Sequence, residues 1–338
     1  GPPGAVVNAA WPTAVSGFVS GVFEKVVNAL FELWSQILPS RAMACSFNLE
    51  YLLVGGRDMR TKDRTIFMWY DWMVGGWGGR NGHDGATAAS PLFGAGFASQ
   101  PIEGQERLNP VVTTHHRIVQ DSGGPGQFRG GCGVEKGGLL ADSDATVMSY
   151  CCDRERSVPW GLEGGLPSTP QGLWLNRATS DERYLGAIFS NEPLIAGDTF
   201  SRSSAGGGGY GDPLERDPQA VLDDVEDDYV SADRALKDYG VVVHPDPDRP
   251  RRWLLDDAAT ADERRRIRRE RHGWLELDAE MIARRYRSGE IDARDCLRQY
   301  GVVLEWGTGE LLPRTTQQMR ELLMTRSAAH WATQEENA

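Results

Sequence analysis

Cysteine is scarce. Five occur in 338 residues, at Cys45, Cys132, Cys151, Cys152 and Cys296. The number is odd, two are adjacent, and no CxxC pair is present. That argues against a disulfide framework and against the usual zinc spacing, and free thiols point to the cytoplasm. No apolar run approaches the roughly 20 residues of a membrane span, and no secretory leader with a basic start opens the chain. Basic residues are in deficit: 36 Lys and Arg face 48 Asp and Glu, a net charge of −12. Such a chain has no general attraction for nucleic acid or for an anionic membrane. A Walker loop with its Lys-Ser/Thr ending is missing, as is a GxSxG nucleophile elbow. An initiator methionine is missing too. The chain starts Gly1-Pro2-Pro3-Gly4, and a processed chain, a fragment or a protease scar is expected.

Glycine and tryptophan are abundant, with 40 and 11 copies. Many glycines mean tight turns and close backbone approaches. The expected class is α+β, with a glycine-rich, β-dominated core over residues 1–213 and a mainly helical appendage over 214–338. Apolar residues at helical spacing predict a helix from about Phe18 to Leu38, stopped by Pro39 and buried on more than one side. Strands are expected at Thr65–Val74, Val111–Val119 and Ala145–Cys151.

Beyond Pro213 glycine thins and charge rises. Two short helices are expected, the second N-capped by Ser231 and closed by Gly240. Residues 214–243 align with 275–304 at a constant offset of 61, ending in a shared Tyr-Gly-Val-Val. Two copies make a duplicated element. The arginine-dense stretch between them interleaves acids, which predicts a solvated helix or a salt-bridged intersubunit surface. The polar tail beyond Ser327 is expected to fray.

Three stretches could carry chemistry. In "VGGWGGRNGHDG" (74–85), Gly75, Gly76, Gly78 and Gly79 suit either a chamber loop or a close backbone packing, and His83 and Asp84 could face a site. In "DSGGPGQFRGGCGVE" (121–135), Asp121, Ser122, Gly123 and Gly124 form a turn, and Arg129 could clamp a carboxylate or phosphate or cap carbonyls. His115 and His116 are weak metal candidates, because neighbours on a strand point to opposite faces. "VPWGLEGG" places Trp160 and Glu163 on a tight bend. In "SSAGGGGYGDPLERDP" (203–218), Gly206, Gly207, Gly208 and Gly209 read as a tight corner that closes the β core, with Tyr210 and Asp212 packed against it.

Taken in order, "GPPGAVVNAAWPTAV", "VGGWGGRNGHDG", "QPIEGQERLNPV", "DSGGPGQFRGGCGVE", "VPWGLEGGLP" and "AGGGGYGDPLERDP" resemble the C-terminal half of the hydantoinase B/oxoprolinase family. The resemblance spans residues 1 to about 243. It implies an ATP-dependent enzyme of two large subunit types, with ATP bound by a hydantoinase A-type partner. A further chain would carry the N-terminal half of the B-type subunit, and a small third subunit is a further expected partner. A divalent metal such as Mg, Mn or Zn would lie elsewhere in the complex, and no metal ligand or catalytic residue transfers to this chain. The leading expectation is a ketone carboxylase of the acetone/acetophenone type, joining bicarbonate-derived CO2 to a phosphorylated enol. The alternatives are ATP-dependent opening of a cyclic amide (a hydantoin, oxoproline or lactam) and a non-catalytic scaffold half.

Overall fold

In the computed structural model, which describes residues 2–5, 8–13, 22–92, 94 and 98–325, alternation along the strands builds two sheets. In β2 (Ile66–Asp71), Phe67, Trp69 and Asp71 are buried while Ile66, Met68 and Tyr70 face outward, as period-two geometry requires. With β1 (Tyr51–Asp58), β5 (Ser143–Cys151) and β8 (Ile188–Leu194) it makes an antiparallel sheet in the order β2-β1-β5-β8. The second sheet comprises β3 (Val111–Ile118), β4 (Val134–Leu140), β6 (Gly172–Leu175), β7 (Arg183–Gly186) and β9 (Thr199–Ser203). Its order is β3-β4-β9-β6-β7, antiparallel throughout. Leu52, Val54, Trp69 and Met148 of the first sheet share one apolar core with Leu140, Leu173, Leu175 and Phe200 of the second. This is the face-to-face packing of a sandwich, and with the helices below it bears out the α+β class.

The four-glycine run is not a corner. None of Gly206, Gly207, Gly208 and Gly209 has a positive φ; only Gly211 does, at +76°. The segment runs extended through the middle of a bundle of other extended segments. Gly207 donates to Gly131 O (2.9 Å) and accepts from Gly124 N (2.7 Å). Gly208 donates to Cys45 O and accepts from Gly79 N, each at 2.8 Å. Gly209 exchanges with Leu166 O and Leu162 N, each at 3.0 Å. Tyr210 then returns to Phe128, on the segment Gly207 addressed. Partners thus recur every third residue, the periodicity of a polyproline-II helix and not of a strand. Each residue points at the backbone of a neighbouring segment, so each must lack a Cβ. One built on Gly207 would sit 1.9 Å from Trp77 O, on Gly208 1.9 Å from Trp160 O, and on Gly209 2.0 Å from Pro125 O.

The surrounding segments obey the same rule. A Cβ on Gly76, Gly78, Gly79, Gly123 or Gly124 would lie 1.8–2.4 Å from backbone oxygen, and on Gly75 2.3 Å from the Phe47 ring. The bundle satisfies its polar backbone through lateral hydrogen bonds, as buried N–H and C=O groups require.

Helix α1 (Glu24–Ser35) sits where sequence spacing placed a helix; residues 18–21 of that expectation lie outside the described residues, as does the tail beyond Ser327. Its expected burial on several sides is not observed. Only Glu24 and Asn28 are buried, whereas Val26, Leu30, Leu33 and Trp34 are exposed. A second helix, α2 (Ile102–Leu108), precedes β3.

The appendage follows the turn Pro213–Glu215, capped by Asp212. It holds α3 (Pro218–Glu226), α4 (Ala232–Tyr239), β10 (Val243–Pro245), β11 (Trp253–Leu255) and α5 (Asp257–Trp274), then α6 (Ala279–Arg287), α7 (Ala293–Arg298) and α8 (Pro313–Leu323). Ser231 caps α4 and Gly240, at φ +61°, closes it. The duplication reaches further than the offset of 61. Arg264 Nε donates to Tyr239 O at 3.0 Å, and Arg320 Nε to Tyr300 O at 3.0 Å. Val242 N donates to Thr260 Oγ1 and Val303 N to Thr316 Oγ1, both at 3.0 Å. So α5 and α8 are equivalent, at an offset of 56, because the hairpin closed by the antiparallel Leu304–Leu311 bridge in the second copy is five residues shorter than the antiparallel β10–β11 hairpin of the first. The arginine-dense α5 is therefore half packed: Ile267 and Arg271 are buried, and Arg265 and Arg266 pair with acids on the exposed side.

Candidate functional site

Two candidates from the glycine-rich loops, Asp84 and Arg129, meet where the bundle joins the appendage. The Asp84 carboxylate accepts both Arg216 nitrogens (2.7 and 2.8 Å) and the backbone N–H of Arg129 (2.7 Å). Arg129 and Arg216 share Asp224 of α3, at 3.1 and 2.8 Å. Arg129 also donates to Gly130 O and lies 4.8 Å over the Tyr229 ring, so it both clamps a carboxylate and caps a carbonyl. Burial pushes the Asp84 carboxyl up, but Arg216 and Arg129 outweigh it and hold it below the usual carboxylate range. His83 lies one residue away, exposed, its backbone bridged to Arg80.

Asp121 stands elsewhere on the same seam. Its backbone is left-handed (φ +63°) and its carboxylate accepts Ser231 N–H at 2.7 Å, tying the loop to α4. Ser122 donates to Val119 O and accepts from Gly133 N–H. Buried Arg298 of α7 caps the carbonyls of Asp121, Gly123 and Pro167 and pairs with Asp238 at 2.7 Å. Asp212 pairs with Arg271 at 2.9 Å, and the Tyr210 hydroxyl donates to Pro39 O at 3.0 Å. Trp160 and Glu163 lie on the expected bend, Glu163 at φ +50°. The structure thus joins Asp84 to Arg129, places Asp121 against Ser231 further along the seam, and leaves the His83 side chain exposed.

His115 and His116 diverge. His115 Nε2 faces Glu135 (3.6 Å) and Ser201 (3.3 Å). His116 opens onto a cavity of about 270 Å3 that it shares with Lys136, Trp72, Met73 and Ile102. Burial first, and then the Lys136 charge, holds the His116 imidazole below its ordinary range. Among the described residues, no group of three or more His, Cys, Asp and Glu side chains could hold a metal.

Behind that cavity lies a charged cluster that the sequence did not reveal. Lys136 Nζ pairs with Asp71 Oδ2 at 2.8 Å, and Arg202 Nη2 reaches the same oxygen at 2.5 Å. Arg202 Nη1 stands 3.6 Å from Glu50. Burial pushes the Glu50 carboxyl up to about 7, against the pull of Arg202. These four residues come from four segments, Glu50 just before β1, Asp71 on β2, Lys136 on β4 and Arg202 on β9. Only the inward side of each strand could have flagged them. A wider cleft of about 750 Å3 lies between Glu155, Tyr184 and the second hairpin at Glu305–Thr308, but Tyr184 already donates to Glu155 at 2.8 Å.

The chain resembles known proteins over most of its length. The B-type component of a putative D-/L-hydantoinase from Pseudomonas sp. (strain NS671) is 29% identical over 72% of this chain and 40% of its own. The beta component of the caprolactamase of Pseudomonas jessenii is 30% identical, over 77% and 44%. The acetone carboxylase alpha subunit of Xanthobacter autotrophicus (strain ATCC BAA-1158 / Py2) is 28% identical, over 56% and 28%. A nucleotide-free acetone carboxylase structure superposes with a TM-score of 0.64 at 21% identity, over 91% of this chain and 43% of that one, which bears on fold alone. The chain spans less than half the length of each of these relatives. The family pattern for hydantoinase B/oxoprolinase matches residues 1–213, the part that holds both sheets and the glycine bundle. By that match, this chain belongs to the hydantoinase B/oxoprolinase family.

Proposed function

We propose that the chain forms part of the B-type subunit of an ATP-dependent, multisubunit enzyme that opens a cyclic amide. The observation that carries this choice is the distribution of likeness. Hydantoinase and caprolactamase relatives match at 29% and 30% over more than 70% of the chain, the acetone carboxylase relative at 28% over 56%. Amide nitrogen is a poor leaving group because its lone pair is delocalised onto the carbonyl. Transfer of a phosphoryl group from ATP to the carbonyl oxygen releases ADP and makes the carbon electrophilic. Water adds there, the C–N bond breaks as nitrogen takes a proton, and a second water releases phosphate and the ring-opened acid.

In this reading a hydantoinase A-type partner holds ATP, and the rest of the B-type subunit completes the enzyme. A small third subunit and a divalent metal such as Mg, Mn or Zn belong to the complex outside this chain, and the compartment is the cytoplasm. The chain itself supplies a rigid wall, the glycine bundle, which keeps a phosphorylated intermediate from bulk water. Lys136 supplies a cation at the cavity for a carbonyl or phosphoryl oxygen. Asp84, Asp121 and Arg129 act as positioning residues that lock the wall to the appendage.

The test uses the assembled enzyme with ATP. Ring opening of a hydantoin, oxoproline or lactam without bicarbonate supports the reading. ATP hydrolysis that needs both a ketone and bicarbonate overturns it in favour of ketone carboxylation. That second reading is favoured by the "GGWGGRNGHDG" and "QPIEGQERL" stretches.

A further inference from the structure

The cavity beside Lys136 opens at an edge of the sandwich. β3 is the end strand of its sheet, and its register with β4 sets His116 opposite Lys136. Residues so paired project from the same face. Lys136 is 8% exposed and forms the floor, while His116 is exposed at the mouth. Trp72, Met73, Val74 and Ile102 supply apolar wall. An apolar hollow with a few placed polar groups is the usual form of a small-molecule site.

The donors and the charge both point to an anion. An ammonium carries three donors. Asp71 Oδ2 takes one of them at 2.8 Å and Gln105 Oε1 stands at 3.5 Å, so a donor remains for the cavity. His115 is engaged by Ser201 and Glu135, whereas no hydrogen bond holds the His116 ring among the described residues. Lys136 and Arg202 converge on one Asp71 oxygen. The fourth member of the cluster, Glu50, is faced by Arg202, Asp71, Lys136 and Tyr150, and burial pushes its carboxyl up to about 7. While Glu50 keeps its proton, two cations face a single carboxylate. His116, held below its ordinary range, adds no charge at neutral pH. None of the described residues that line the cavity is acidic. A buried cation in excess calls for a counter-charge, and the cavity admits one from solvent.

We propose that this cavity is a binding site for the carboxylate of an organic acid with an apolar body, held by Lys136 at the floor and by the His116 N–H at the mouth. One net positive charge matches a carboxylate monoanion better than a phosphate dianion, and the walls fit an alkyl or aryl body. The source of the acid rests on the proposed function. Ring opening turns the amide carbonyl into a carboxylate, so the oxygen that Lys136 polarises is the oxygen it then retains in the product.

Calorimetric titration of the chain at pH 6 with hexanoate, hexylammonium and inorganic phosphate tests the site. Hexanoate should bind at one site per chain, and hexylammonium, with the same body and the opposite charge, should not. Lys136→Met should weaken hexanoate by roughly 10- to 100-fold, the worth of a charge-assisted hydrogen bond. Ile102→Glu should do the same by placing a like charge on the wall, and Ile102 is partly exposed, so the fold should keep it. Wild-type affinity should fall about 10-fold from pH 6 to pH 8, as Glu50 ionises and balances the cluster. Glu50→Gln should remove that fall. His116→Asn, which takes away the other titrating group at the cavity, should keep it at lower affinity. Wild-type affinity in both Lys136→Met and Ile102→Glu would overturn the site, as would phosphate binding in preference to hexanoate. A flat profile between pH 6 and pH 8 would overturn the part given to Glu50. Ring opening by the assembled enzyme, with no hexanoate bound at the cavity, would overturn the site and leave the functional reading standing. Hexanoate binding by an assembled enzyme that opens no cyclic amide would do the reverse.

Discussion

Arg216 grips Asp84 with both terminal nitrogens, at 2.7 and 2.8 Å, across 132 residues of sequence. The pair joins the glycine-rich core to the first appendage helix, because Arg216 also holds Asp224. Replacing Asp84 with Ala leaves buried Arg216 with Asp224 and the Gln127 carbonyl among the described residues. Asp84 is itself about a third exposed, so the loss should be about 2 kcal/mol, below the full cost of breaking a buried pair. Chemical denaturation of Asp84→Ala and Asp84→Asn would measure it. Asp84 is held below the usual carboxylate range, so its stabilising contribution is present above its unfolded value near 3.8 and fades as pH falls through the lower folded value. The wild type should lose this increment in acid, and Asp84→Asn should not.

The bundle makes a sharper claim about glycine. Gly207→Ala forces a Cβ to within 1.9 Å of Trp77 O, and the chain should fail to accumulate as soluble, cooperatively unfolding protein. Gly104 lies within α2 with nothing within 4 Å of a built Cβ. Gly104→Ala should therefore stabilise by about 0.5–1 kcal/mol, the helix-propensity gain. Parallel thermal melts test both, and equal behaviour of the two variants would remove the packing argument.

Glu50 predicts a pH dependence of opposite sign to that of Asp84. Its folded value is raised to about 7 by burial, above an unfolded value of 4.5, so the native state holds an extra proton between those limits. Stability should fall as pH rises from about 4.5 to 7 and then level off. Glu24, also pushed up to about 7 by burial, adds to the same window. Glu50→Gln should remove roughly half the slope and stabilise the protein at pH 8, by on the order of 3 kcal/mol at most. Denaturation midpoints at pH 5, 6, 7 and 8 provide the check.

The two appendage copies should respond alike. Arg264 caps the carbonyls of Tyr239 and Arg216, and Arg320 caps those of Tyr300 and Leu277. Arg264→Met and Arg320→Met should each cost about 1.5–3 kcal/mol, the worth of charge-assisted hydrogen bonds. Exchange protection should drop within the copy that carries the substitution. A loss confined to one copy for both variants would argue against structural equivalence.

Lys136 offers the activity test. Lys136→Met removes the cation at the cavity, while Asp71 keeps Arg202, so the fold should persist. Turnover of the assembled enzyme should fall about 100-fold, the scale for one transition-state charge partner. Unchanged kcat and KM would place substrate elsewhere.

Much of the architecture is legible in the residues themselves. The aromatic-rich run at 66–71, the run at 111–118, the Ser231 cap, the Gly240 stop and the repeated Tyr-Gly-Val-Val are local signals, carried by neighbours a few residues apart. The second half of each repeat is not legible, because α5 and α8 share few residue types beyond Thr260/Thr316 and Arg264/Arg320, and the offset changes at the hairpin. The orientation of α1 escapes for another reason. Spacing shows that a helix has an apolar stripe, but not whether this chain covers it.

The sequence alone determined where many of the strands and helices fall, which family the glycine-rich stretches belong to, and that the appendage is duplicated. Those properties rest on local periodicity, capping chemistry and motif. Only the tertiary structure decided what "AGGGGYGD" does. A Cβ is excluded at Gly207 by Trp77, at Gly208 by Trp160 and at Gly209 by Pro125, and these backbones arrive from segments that lie 48–130 residues away in sequence. It likewise decided that Glu50, Asp71, Lys136 and Arg202 form one cluster, because charge meets charge there only once two sheets have closed face to face.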